Sequence, residues 1–157
     1  MIENQWLFLL FLASGDVSDT KPSTALLVER ADSVIVCVHA QIPKNDDLDP
    51  EEFRAKAVKI METLGCDTAS IKQNSNKTPA AIWTIFHPSD GDKIRDLLNR
   101  DSSEKRPLNY DPFLEDNVIL DDVLTKRLKD EYDVKPYVIT QFQGEAIFIP
   151  AGSPRQV

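Results

Sequence analysis

The segment Lys135–Val157, KPYVITQFQGEAIFIPAGSPRQV, constrains the fold of this chain more than any other. Two apolar runs, Tyr137 to Phe142 and Ala146 to Ile149, flank Gln143-Gly144 and lead into the rigid turn Pro150-Ala151-Gly152-Ser153-Pro154. Runs rich in β-branched and aromatic residues, joined by a glycine dipeptide, predict a strand, a tight turn and a second strand, that is, a hairpin.

At 157 residues the chain is long enough for one domain with a substantial core, since a chain of this size buries about two-thirds of its unfolded surface. Hydrophobic residues at 41% and charged residues at 28% exclude wholesale disorder. The net charge of -8 argues against a basic groove for nucleic acid and suits a basic partner such as a histone tail. Cys37 and Cys66 are too few for a disulfide framework and lack metal-ligand spacing, so they read as buried thiols in a reducing compartment. Trp6 to Ala13, WLFLLFLA, is too short to span a bilayer and is preceded by Glu3 without Lys or Arg. It reads as a buried strand rather than a secretory signal.

Ser14 to Ser23 has the turn chemistry of a polar connection, and Ala25 to Val28 and Ser33 to Ala40 read as strands. Asp49 is a helix cap with Pro50 as first helical residue and Glu52 three positions after the cap. Phe53, Ala57, Ile60, Met61 and Leu64 follow at helical spacing and Gly65 ends the helix, which predicts a helical insertion around residues 49–65. Cys66 to Pro79 is polar and reads as an exposed loop; its Asn76-Lys77-Thr78 sequon matters only in a secreted chain. Ala81 to Phe86 predicts a strand, Ser89 and Asp92 open a short helix with Ile94, Leu97 and Leu98 on one side, and Arg100 to Pro112 reads as a polar connection. A third helix begins near Leu120, with Val123, Leu124, Leu128 and Tyr132 on its apolar face. Strands at both ends with helices between them predict an α+β domain.

GEAIFIPAGSPRQV resembles the penultimate part of the JmjC domain in demethylases of histone H3 lysine 9, the lysine demethylase 3 type that includes the hairless protein. Ile82-Trp83-Thr84-Ile85-Phe86, Asp92 to Leu98, Asp111-Pro112 and Leu120 to Tyr132 also resemble stretches of that group, so the likeness runs from about Thr24 to Val157. It implies an incomplete cupin-type double-stranded β-helix with inserted helices, as a single partial domain over residues 1–157. The expected function is a JmjC-domain protein in chromatin and transcription regulation, located in the nucleus, with the histone H3 tail or chromatin proteins as partners and no membrane.

The family reaction is hydroxylation of a lysine methyl group, dependent on Fe(II) and 2-oxoglutarate. Such iron sites use two histidines and a carboxylate, the first two ligands spaced so that they share one strand face. The matching stretch here is Thr24 to Val36, in which Glu29 fills the carboxylate position and Leu27 stands at the first histidine. Arg155 replaces a histidine of the family's turn, and the resemblance implies that the last ligand falls after Val157. Leucine has no lone pair to offer, so the chain is expected to bind no cofactor and to be inactive as it stands. Glu29 is then a vestigial metal position, with no catalytic residue assigned and the oxoglutarate-binding residues unassigned. The alternatives are a non-catalytic module for chromatin proteins and an incomplete gene product, whose open sheet edges would promote self-association.

Other chemistry is less well supported. His39 and His87 each read as packed or surface histidines. Glu51-Glu52, Asp121-Asp122 and Asp46-Asp47 read as helix-start or loop acids, and Lys126, Arg127 and Lys129 as a solvated helix face. There is no G-x-S-x-G elbow and no glycine-rich phosphate loop.

Overall fold

The computed structural model describes residues 6–14, 22–41, 49–101, 110–115 and 118–157, with 6–14 and 115 described by their backbone alone. The expectations for most of Ser14 to Ser23, for Asp46-Asp47 and for the middle of Arg100 to Pro112 lie outside these residues. The elements run β1 (Trp6–Ser14), β2 (Leu27–Val28), β3 (Asp32–Gln41), α1 (Pro50–Thr63), α2 (Thr68–Gln73), β4 (Pro79–Ile85), α3 (Gly91–Asp101), α4 (Pro112–Glu115), α5 (Asp122–Tyr132), β5 (Tyr137–Phe142), β6 (Ala146–Ile149) and β7 (Pro154–Gln156), with a 3-10 turn at Pro88–Asp90.

The strands form two sheets, ordered β1-β3-β6 and β2-β7-β4-β5. Alternation decides which residues meet between them. Along β3, Ser33, Ile35 and Cys37 are buried while Val38 and His39 are exposed, and Ile35 packs with Ile147 and Ile149 of its own sheet and with Trp83 and Ile85 of the other. The opposite face of the four-stranded sheet is covered by helices. Phe142 packs with Ala57, Met61, Cys66 and Ile71 from α1, α2 and their connection. Phe86 packs with Ile94, Leu97, Leu98, Phe113, Leu120 and Leu128 from the α3–α5 region. The architecture is α+β, an incomplete cupin-type double-stranded β-helix with inserted helices and no closed barrel among the described residues. No helix among them is long and apolar enough to cross a membrane.

The expected hairpin is corrected. β5 pairs with β4, and β6 pairs with β3, so the two terminal strands belong to different sheets. The turn between them carries positive φ (83°) at Gly144, its third residue, and closes with the Glu145 N–H donating to the Phe142 carbonyl at 3.1 Å. Paired two-residue hairpins favour primed turns whose twist matches the strands, whereas a turn with its glycine in the third position splays them. Here the splay carries the chain from one sheet to the other, and the Gly144 N–H donates to the Cys37 carbonyl at 2.8 Å on arrival.

Three further expectations change. Cys66 to Pro79 is not a loop throughout: Asp67 caps α2 by accepting from the N–H groups of Ala69 and Ser70, and Ile71 is buried. The strand expected over Ala25 to Val28 shortens to Leu27–Val28, because Leu26 is drawn into the helical cluster and its N–H donates to the Val118 carbonyl at 2.7 Å. In α5 the cap is Asp121, Leu128 is fully buried, and Val123 points to solvent at 66% exposure. The α1 terminus follows the pattern read from sequence: Gly65 adopts φ 78°, its N–H donates to the Glu62 carbonyl at 3.1 Å and the Cys66 N–H to the Met61 carbonyl at 2.9 Å. This is the glycine-terminated helix end in which two orphan carbonyls are satisfied together.

Candidate functional site

Register places Leu27, which is 43% exposed, opposite Arg155, and Glu29 within reach of the Arg155 guanidinium. β2 and β7 are antiparallel with Leu27 directly opposite Arg155, and directly opposed residues project from the same face. Arg155 is also opposite Ile85 of β4, whose side chain lies in the core between the sheets. Its guanidinium therefore enters that space. There Nη1 donates to Ser33 Oγ at 2.9 Å and Nη2 to Glu29 Oε1 at 3.4 Å. Ser33 is fully buried and Arg155 is 4% exposed.

The turn after β6 holds this arrangement in place. The Gly152 N–H donates to the Glu29 carbonyl at 2.8 Å, and the Ala151 N–H donates to the Asp32 carboxylate at 2.8 Å. Gly152 adopts φ 79°, which a side-chain-bearing residue rarely adopts. Beyond it, β7 is fixed between β2 and β4, with the Phe86 N–H donating to the Pro154 carbonyl at 2.8 Å. Burial lowers the pKa of Arg155 from its ordinary value while the Glu29 carboxylate opposes that change. A guanidinium starts so far above neutrality that it remains a cation.

Neither histidine reaches this site. His39 lies at the exposed end of β3, and His87 caps the 3-10 turn, its Nδ1 accepting from the Ser89 N–H at 3.2 Å. The acid pairs among the described residues and the basic helix face also have structural explanations. Glu52 pairs with Lys56 at 2.9 Å, Asp121 accepts from the Leu124 N–H at 2.9 Å, and Arg127 pairs with Glu131 and Asp101. Cys37 and Cys66 are free and buried, and burial pushes both thiols upward in pKa.

The residues present do not fit the iron that the resemblance implies. Leu27 supplies no lone pair, and the Glu29 carboxylate faces a buried guanidinium, which competes with a metal ion for its charge. Among the described residues no three His, Cys, Asp or Glu side chains converge to hold a metal. Sequence reading singles out Leu27 and Glu29 through the resemblance but not the contacts of Arg155 and Ser33. The signal for Arg155 was its place at a family histidine; none pointed to Ser33.

Comparison with known proteins agrees with this architecture. The family model "JmjC domain, hydroxylase" matches residues 62–157. "Lysine-specific demethylase 3" of Drosophila melanogaster is 42% identical over 143 residues, covering 87% of this chain and 16% of that protein. "Lysine-specific demethylase 3A" of Homo sapiens is 35% identical over 140 residues, covering 86% of this chain and 10% of its own length. The chain thus spans a small part of the curated relatives it matches. With the match to the family model extending over more than half of the residues, from the end of α1 through α2–α5 and β4–β7, the chain is similar over most of its length to lysine-specific demethylase 3 proteins and belongs to the JmjC family.

Proposed function

We propose that this chain is a nuclear JmjC module that acts at chromatin without hydroxylating a substrate. The observation that carries the reading is Leu27 at the first ligand position, two residues before a carboxylate already paired with Arg155. Glu29 is on this reading a vestigial metal position, and Fe(II) and 2-oxoglutarate are not cofactors of the chain. The relatives' names point to lysine demethylation, which supports the histone H3 tail as partner, and the net charge of -8 favours such a basic peptide.

The test uses the full chain with Fe(II), 2-oxoglutarate, oxygen and an H3 tail peptide dimethylated at lysine 9. The expected result is no demethylated peptide and no succinate, with salt-sensitive binding of the peptide. Turnover that is abolished by Glu29→Ala would overturn the non-hydroxylating reading. Absence of peptide binding at low salt would remove the histone tail as partner.

A further inference from the structure

We propose that Arg155 occupies the third corner of the vanished metal site and that its guanidinium serves there as a built-in cation, holding Glu29 and Ser33 as a metal ion would hold its ligands. The proposal deepens the non-hydroxylating reading and rests on it.

Register supplies the first argument. Leu27 and Arg155 are cross-strand partners, and Glu29, two residues after Leu27, is the carboxylate that Arg155 reaches. Leu27 on β2, Glu29 just past its end and Arg155 on β7 therefore stand close together, Leu27 at the exposed rim, in the placement a three-ligand site requires. The last ligand position, expected beyond Val157, is on this geometry already filled within the chain.

Charge supplies the second argument. An arginine that is 4% exposed, on the face packed with Ile35, Ile85 and Ile149, requires compensation for the water it has lost. It receives one carboxylate and one hydroxyl. Conversely, Glu29 in this position would be an uncompensated anion if neither metal nor arginine faced it. Loss of metal ligation and gain of the arginine are thus chemically linked: each of the two positive centres makes the other unnecessary.

Two measurements test this. In the first, Arg155→Met keeps most of the apolar stem and removes the charged head. Its melting temperature should fall by about 3 °C, since Glu29, with its side chain 32% exposed, loses its cation while water still reaches it in part. Adding Glu29→Gln should recover much of that loss; an Arg155→Met chain as stable as the wild type would overturn the proposal. In the second, Leu27→His and Arg155→His are combined and Co(II) is titrated, read by its visible absorption. Binding should be at least about 100-fold tighter than in the wild type and be lost on Glu29→Ala. Should the double variant be unfolded without metal, Co(II) is expected to restore its circular dichroism, and no Co(II)-dependent signal in either form would refute the placement of Arg155. Failure of the double variant alone removes only that placement, whereas tight Co(II) binding by the wild-type chain would undo the non-hydroxylating reading as well.

Discussion

The indole N–H of Trp83 donates to Oε1 of Gln141 at 2.9 Å inside the four-stranded sheet, and the same amide reaches across to the other sheet. Gln141 Nε2 donates to the carbonyls of Ile35 at 2.9 Å and Glu145 at 2.8 Å. One fully buried side chain thus links β4, β5 and β3 with the turn that passes between the sheets.

Gln141→Leu keeps the volume but removes three hydrogen bonds. Deprived of these partners in a buried site, the remaining groups should cost the fold about 2 kcal/mol. Thermal unfolding should show the midpoint lowered by about 5 °C. A midpoint equal to the wild type would mean that the amide contributes nothing to the joining of the two sheets.

Backbone conformation gives a second prediction, from two helix ends with opposite chemistry. Asp133 ends α5 in the left-handed region, φ 52°, while Gly65 occupies the same region after α1. Outside glycine that conformation is unfavourable, although Asp tolerates it better than most residues. Asp133→Gly should therefore stabilise by about 0.5 kcal/mol and Gly65→Ala destabilise by about 1 kcal/mol. Urea titrations of both variants check the pair of signs; two changes of the same sign would contradict it.

What could be read from the residues follows from how local the determining interaction is. The end of α1 at Gly65 and the rigid turn before β7 depend on neighbouring residues, and their sequence signatures were sufficient. The apolar runs Tyr137–Phe142 and Ala146–Ile149 mark two strands but not which strand each one pairs with, and proximity in sequence favours a hairpin that the two-sheet arrangement does not form. α2 has a loop-like composition in Lys72, Gln73 and Asn74, and its only helix signals are the cap Asp67 and the single buried Ile71. The meeting of Arg155 with Glu29 depends on the register between β2 and β7, which joins opposite ends of the chain and has no local signature.

Packing of the helices on the sheet gives a third prediction. Leu128 is fully buried in the cluster with Leu26, Phe86, Leu97 and Leu120. Leu128→Ala should cost about 3 kcal/mol, combining lost burial with the cavity left behind. The exposed Val123 of the same helix should be tolerant, with Val123→Ala within about 0.5 kcal/mol of the wild type. Equal losses for the two, measured by urea unfolding, would show that α5 does not pack through Leu128.

Acid sensitivity should trace in part to the surface network between α3 and α5. The carboxyl of Glu131 is held below its ordinary pKa by its hydrogen bond with Arg127 and then by that with Arg100, at 2.9 and 2.8 Å. With the folded pKa below the unfolded one, the unfolded chain binds more protons in the acid range. The contribution is thus complete above the unfolded value, near the usual carboxylate range, and is lost as pH falls through the folded value. Solvent around the network keeps the effect small. Thermal unfolding of wild type and Glu131→Gln should differ at pH 7, with the wild type more stable, and converge once the pH lies below the folded pKa of Glu131. A difference that stays constant across the acid range would show that the ionised carboxylate is not what Arg127 and Arg100 hold.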